Sequence, residues 1–244
     1  MARFAVIIPA AGKGERMGGA EKKTFAKLDG RPVFIRTLEH FISRNDVCQT
    51  ILAVAPEDMD AMVSSYGPNL GFMGVKLVKG GARRCDSVAA AMGVVSAEAD
   101  YVAVHDAARP CVSEAQIDAV FGEAVKTGAA ILAVPIAGTL KRVSAANVIE
   151  ETVQRELLYE AQTPQVFRRD VLNEAYGRLA ALEEDVTDDA ALVELVGHPV
   201  SVVKSDATNI KITVKGDLAL AGAILKSRPS RSVRRLGAFE EAQW

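Results

Sequence analysis

The sequence predicts an α/β protein built on a mainly parallel, helix-flanked, Rossmann-like sheet, and three observations carry that expectation. Short apolar runs closed by turn residues recur at Phe4–Ile8, Thr50–Ala55, Val75–Val78, Tyr101–His105 and Ala129–Val134. Runs that are continuously apolar, not alternating, mark strands buried on both faces. Segments with helical spacing separate them, and this alternation makes βαβ units. The glycine-rich and charged loops follow the strands, where ligands bind in parallel sheets.

Phe4–Ile8 is the first strand and ends in Pro-Ala-Ala-Gly. Helical spacing covers Val33–Ile42, then Pro56–Ser64, where Pro56 suits a helix start. Asp86–Val95 is a third helix. Ser113–Val125 is a fourth, with Ser113 as N-cap and Gln116 at the capping-box spacing. After Pro135 the pattern changes. Thr139–Val143 and Val148–Val153 read as two strands joined by a polar turn at Ser144–Asn147, a hairpin arm over about residues 137–156 that projects from the domain. Helices at Arg169–Leu182 and Thr187–Leu195, a strand at Val200–Val203 and a helix at Val214–Leu225 complete one domain over residues 1–226. Residues 227–244 carry Arg228, Arg231, Arg234 and Arg235 among serines and a proline. They offer little to bury and read as a mobile basic tail.

Composition narrows the function. A net charge of −2, from 29 basic and 31 acidic groups, argues against a broad nucleic-acid-binding surface. The longest apolar stretch, around Ala129–Ala137, is far short of the roughly 20 residues of a membrane span. Cys48, Cys85 and Cys111 are far apart and odd in number, which fits a reducing, cytoplasmic setting better than a disulfide framework.

The strongest local signal is the loop from Pro9 to Gly19, Pro-Ala-Ala-Gly-Lys-Gly-Glu-Arg-Met-Gly-Gly. Small residues let backbone N–H groups approach a polyphosphate, and Lys13 and Arg16 add positive charge. A dinucleotide fingerprint needs a third glycine at position 17, where Met17 stands, and no GxxxxGK[ST] loop exists. Lys22-Lys23-Thr24-Phe25 follows, with a lysine suited to neutralising developing charge. Gly80-Gly81-Ala82-Arg83-Arg84-Cys85-Asp86-Ser87 is a second glycine-opened loop, in which Ser87 can read a base edge. His105-Asp106-Ala107-Ala108-Arg109-Pro110 ends a strand. Asp106 is a candidate Mg²⁺ ligand, Arg109 a candidate phosphate clamp, and His105 reads as structural because no GxSxG elbow exists. Arg155, Thr163-Pro164-Gln165, Thr187-Asp188 and Asn209-Ile210-Lys211 are weaker signals taken singly.

Taken together, these motifs resemble the 2-C-methyl-D-erythritol 4-phosphate cytidylyltransferases. The matching segments are PAAGKGERM from Pro9, GGARRCDSV from Gly80, HDAARP from His105, TVQRELLYEAQTPQVF from Thr152, VTDDAALVE from Val186 and TNIKIT from Thr208. The resemblance implies a nucleotide-diphospho-sugar-transferase type of fold, a homodimer that exchanges its arms, and Mg²⁺-dependent transfer from CTP to a polyol phosphate. It further implies that Arg16 and Lys23 stabilise the transition state, while Lys211 and the partner's Arg155 position the acceptor. Ala10, Ala11, Gly12, Gly14, Gly81, Ser87 and Asp106 would hold the nucleotide, and Arg109, Thr139, Thr163 and Thr187 would line the acceptor pocket. A ribitol 5-phosphate cytidylyltransferase and a non-catalytic nucleotide-binding regulator are the alternative readings.

The family pattern Pro-Lys-Gln-[Phe/Tyr] selects Lys23 when counted back from Phe25, with Lys22 beside it. Replacing Arg16 or Lys23 by Ala is expected to lower kcat by about 10²–10³-fold with the fold intact. Near-normal turnover in Lys23→Ala beside a large loss in Lys22→Ala would move the role to Lys22.

Overall fold

The computed structural model describes residues 1–12, 25–179 and 186–228. Arg16, Lys23 and Gly14, expected in the phosphate loop, lie outside the described residues, as does the chain from 229 to 244. The elements in order are β1 (Phe4–Pro9), β2 (Lys27–Leu28), β3 (Arg31–Pro32), α1 (Val33–Leu38), β4 (Val47–Val54), α2 (Met59–Phe72), β5 (Val75–Lys79), α3 (Arg84–Met92), β6 (Tyr101–Val104) and α4 (Glu114–Thr127). The second half adds β7 (Ala129–Pro135), β8 (Leu140–Val143), β9 (Ile149–Val153), β10 (Tyr159–Arg168), α5 (Arg169–Gly177), α6 (Asp189–Leu195), β11 (Ser201–Lys204) and α7 (Lys215–Ser227).

Seven strands form one sheet in the order β11-β7-β10-β6-β1-β4-β5. Every pairing is parallel except those of β10, which runs antiparallel between β6 and β7. Side chains alternate across β1 as strand geometry requires. Val6 and Ile8 face one core with Phe34, Leu38, Leu52, Met62 and Phe121; Ile7 faces the other with Ile51, Val88, Val104, Phe167 and Leu172. Helices therefore cover both faces, as the apolar runs predict. A third cluster, with Leu28, Val33, Cys111, Ile212 and Ala221, docks α7 beside the end of the sheet.

The predicted cap of α4 is present. The Gln116 N–H donates to Ser113 Oγ at 3.2 Å, and the Ser113 N–H donates to Gln116 Oε1 at 2.8 Å. Gly128 closes the helix at φ +90°, a backbone conformation that suits glycine.

Three differences from the sequence expectations have physical causes. β10 is not anticipated as a strand, because Pro164 removes a ladder donor and argues against a central position. The sheet accommodates it by shifting register with β7 between Ala161 and Gln165. α2 runs on to Phe72 through Gly67 and Pro68, two residues that signal a break, and begins after a 3₁₀ turn at Pro56–Asp58. α7 reaches Ser227, and Arg228, assigned by composition to the mobile tail, donates to the carbonyls of Cys111 and Val112.

The hairpin β8–β9 forms as expected and pairs only with itself. It grows out of the β7–β10 ladder, where Tyr159 lies opposite Pro135. Val143, Val148, Ile149 and Leu157 on and beside this arm are exposed.

Candidate functional site

The site gathers at the carboxyl ends of β1, β5 and β6, closed on one side by the first half of β10. Two cavities of about 210 and 230 Å³ meet there. The first is lined by Pro9, Ala11, Gly12, Arg84, Ser87 and Ala107 among others; the second by Arg109, Gln162, Thr163, Gln165, Thr187 and Asp188. Arg84, Asp106 and Lys211 line both and form the wall between them.

Loop geometry explains the glycine pair after β5. Gly80 N–H donates to the Val54 carbonyl at 2.7 Å, continuing the sheet. A Cβ on Gly80 would lie 2.6 Å from Ser87 Oγ, and one on Gly81 would lie 2.4 Å from the Asp86 Cβ. Neither contact is sterically tolerable, so the loop can fold back on α3 only as glycine. The Ser87 hydroxyl accepts from Gly81 N–H at 3.1 Å and donates to the Arg83 carbonyl at 3.1 Å. Across the cavity, the Ala10 N–H donates to the Ala53 carbonyl at 2.7 Å, and Ala10 is buried.

The segment after β6 is fixed group by group. The Asp106 N–H donates to Thr163 Oγ1 at 3.0 Å. The Ala107 carbonyl accepts from the Thr37 hydroxyl at 2.9 Å, and the Ala108 carbonyl accepts from Ile212 N–H at 2.8 Å. His105 Nε2 lies 3.0 Å from the Arg109 carbonyl, and Nδ1 lies 3.0 Å from Thr163 Oγ1. A carbonyl only accepts, so Nε2 carries the proton and Nδ1 accepts from the threonine hydroxyl. Burial pushes the His105 pKa down to about 3. The imidazole is thus a neutral strut, as the sequence predicts, and not a general base.

Asp106 is the electrostatic centre. Its Oδ2 lies 2.7 Å from Lys211 Nζ and 3.6 Å from Arg109 Nε, while Oδ1 lies 3.1 Å from Arg84 Nε. Burial disfavours the carboxylate, but Arg84, Lys211 and Arg109 hold it well below the usual carboxylate range. Arg109 Nη1 also donates to the Asn209 carbonyl at 2.7 Å, and Asn209 Nδ2 donates to Gln162 Oε1 and the Thr163 carbonyl. The shifted register of β10 leaves those groups available. Asn209 is thereby docked, Ile212 is buried, and Lys211 between them is delivered to Asp106.

Of the expected site residues, Ala11, Gly12, Ser87, Asp106, Arg109, Thr163, Thr187 and Lys211 line the two cavities. Ala10 and Gly81 shape the loops beneath. Thr139 and Arg155 do not line them: both are exposed on or beside the arm, where the Arg155 guanidinium donates to the Ala137 carbonyl. Arg84 is a site residue that sequence reasoning does not single out from the Arg83-Arg84 pair of the Gly80–Ser87 loop. Arg83 is the exposed member, paired with Asp86 at 2.8 Å, whereas Arg84 turns inward to Asp106 and the fully buried Asp189. Helical spacing in the sequence starts this helix at Asp86, two residues late, so it does not place Arg84 in the first turn of α3.

The sequence profile of the 2-C-methyl-D-erythritol 4-phosphate cytidylyltransferases matches residues 4–227. The chain belongs to that family. A curated member from Rhodopirellula baltica is 44% identical over 247 residues, covering 95% of this chain and 98% of the relative. One from Dechloromonas aromatica is 41% identical and covers 93% of this chain and 100% of its own. Among solved structures, the family enzyme from Thermus thermophilus superposes with a TM-score of 0.75 at 33% identity, covering 91% of this chain and 98% of that one. The 4-diphosphocytidyl-2C-methyl-D-erythritol synthase of Anaerococcus prevotii gives 0.77 at 28% identity, over 92% and 99%. The family fold is the helix-flanked, mostly parallel sheet described above.

The His105 geometry has a measurable consequence. The unfolded residue takes up a proton near its ordinary pKa of 6.5, and the folded one does so only near 3. Protons therefore favour the unfolded state across that window, and stability falls as pH drops through it by up to about 1.4 kcal/mol per pH unit. Urea unfolding at pH 7 and pH 5 is expected to show this dependence in the native protein and a shallower one in His105→Gln. Equal dependence in both would contradict the neutral-strut assignment.

Proposed function

We propose that this chain transfers the cytidylyl group of CTP to 2-C-methyl-D-erythritol 4-phosphate, forming 4-diphosphocytidyl-2-C-methyl-D-erythritol and pyrophosphate for isoprenoid precursor synthesis. Beyond family membership, the carrying observation is the cationic wall of Arg84, Lys211 and Arg109 around Asp106, placed where a glycine-walled cavity meets a second polar one. The glycine-walled half suits the cytidine, held by Ala10, Ala11, Gly12, Gly81 and Ser87. The half lined by Arg109, Thr163 and Thr187 suits the acceptor, with Lys211 between the two.

In the reaction an oxygen of the acceptor phosphate bonds to the α-phosphorus of CTP. The bond from that phosphorus to the oxygen bridging the α- and β-phosphates breaks in line, and its electrons leave with pyrophosphate. A phosphate dianion is already a nucleophile, so no protein base is needed, which agrees with the neutral His105. Positioning and charge stabilisation supply the catalysis. Lys211 orients the acceptor, and Arg16 and Lys23 stabilise the charge that develops around the α-phosphate.

Among the described residues no group of three His, Cys, Asp or Glu side chains converges on a metal site, and both Asp106 oxygens are engaged by cations. The residues present therefore do not make a resident Mg²⁺ centre around Asp106. Mg²⁺, if required, would instead be brought by CTP and would screen the charge of its phosphates.

The protein works as a cytoplasmic homodimer with exchanged arms in this reading. Two observations support it: the exposed apolar residues of the arm, and the placement of Arg155 and Thr139 away from their own cleft. Among the described residues no helix is long and apolar enough to cross a membrane.

Pyrophosphate release, assayed with each of the four nucleoside triphosphates and with methylerythritol phosphate or ribitol 5-phosphate, is expected only for CTP with the first acceptor. Preference for ribitol 5-phosphate would reassign the substrate, and release with neither would refute the enzyme reading. Asp106 is held well below the usual carboxylate range and His105 down to about 3, so the acceptor's own phosphate sets the pH dependence: kcat/KM for the acceptor should be flat above pH 7 and fall below about 6, the second pKa of a phosphate monoester. Mixing inactive Arg155→Ala with inactive Arg16→Ala should restore turnover through heterodimers. No recovery after demonstrated subunit exchange would rule out catalysis by the partner's Arg155.

A further inference from the structure

Arg84 holds a place in the cleft that phosphate or base recognition alone does not require. Its guanidinium is spread between two acids from different parts of the fold. Nε lies 3.1 Å from Asp106 Oδ1, just after β6, and Nη1 lies 2.8 Å from Asp189 Oδ2, at the start of α6. Asp189 has no solvent exposure, and Tyr176 of α5 donates its hydroxyl to the other oxygen at 2.5 Å. The Asp189 and Ala190 N–H groups donate to Gln165 Oε1 at 3.0 and 3.1 Å, and Gln165 Nε2 donates to Asp188 at 2.8 Å. The far end of the guanidinium is thus tied to a buried, hydrogen-bonded anchor, and the near end touches Asp106. Burial works against the Arg84 charge, but Asp189 and Asp106 outweigh it and keep the group firmly protonated.

We propose that Arg84 is a positioning residue for cytidylyl transfer: clamped by Asp189, it holds Asp106 Oδ1 and so fixes how far Asp106 Oδ2 draws Lys211 toward the junction of the two cavities. The inference rests on the transfer reading of the cleft. Without Arg84, Oδ1 has no cation, and the carboxylate is free to turn both oxygens on Lys211 and Arg109, pulling the lysine from the acceptor side. Arg84 and Asp106 also border the glycine-walled cavity, but the Gly81–Ser87 loop that walls it is held by the Gly81 N–H and the Arg83 carbonyl and not by Arg84. Loss of the clamp is therefore expected to fall mainly on the acceptor, through Lys211. Lysine cannot substitute, since a single ammonium does not reach two separated carboxylates as a planar fork does.

Steady-state kinetics of Arg84→Gln, Arg84→Lys, Asp189→Asn and the double variant Arg84→Gln/Asp189→Asn test this, with urea unfolding of each. Arg84→Gln and Asp189→Asn are each expected to lower kcat/KM for the acceptor by about 10- to 100-fold while KM for CTP stays within about twofold, the signature of misplacement. Arg84→Lys should share the loss. The double variant removes both buried charges, so it should regain stability over the singles yet keep the kinetic defect. Three results would overturn the inference: a rise confined to the CTP KM, full activity in Arg84→Lys, or activity that returns with stability in the double variant. An inactive native protein would instead overturn the proposed function, and this inference with it.

Discussion

The architecture of the cleft depends on one carboxylate kept ionised out of water. Removing a charged group from water costs several kcal/mol on the order usual for buried ions, and an incomplete set of partners turns that cost into instability. Asp106 meets the cost with Arg84, Arg109 and Lys211, drawn from α3, from its own loop and from the segment before α7. Three elements distant in sequence must therefore dock correctly for any of them to be stable there. Two buried acids, Asp106 and Asp189, face these three cations, and the positive excess is what a polyphosphate would meet.

A second constraint sits behind the first. The chain from His105 to Arg109 has its polar groups assigned to Thr163, Thr37, Ile212 and the imidazole itself. A rigid loop of this kind presents a carboxylate without spending conformational entropy when ligand arrives. The price is the insertion of β10, with Pro164, into the centre of the sheet. Its broken register with β7 is what leaves Gln162 and the Thr163 carbonyl free to dock Asn209.

Local signals made part of this legible. The apolar runs located five strands of the sheet, the Ser113/Gln116 spacing located the start of α4, and the polar turn located the arm. Asp106 and Arg109 sit in a short motif whose residue types already suggest metal and phosphate chemistry, Thr163 and Lys211 stand out only through the family resemblance, and all four line the cleft. Arg84 and Asp189 were not legible, because their meaning lies in a pairing between α3 and α6 that no local pattern encodes. Asp189 follows the N-cap Asp188 directly, and only the fold shows that Asp188 caps the helix at the cavity edge while Asp189 is fully buried against Arg84. β10 was hidden for the opposite reason: its local chemistry argues against a strand, and pairing on both sides overrides it.

The most direct test of the account is a crystal structure with CTP, Mg²⁺ and a non-reacting acceptor analogue bound. It should place the cytosine against the Gly80–Ser87 wall and the α-phosphate at the junction beside Lys211, with Asp106 still paired to Arg84. A base seated in the Thr163–Thr187 half, or an Asp106 carboxylate released by all three cations, would contradict it.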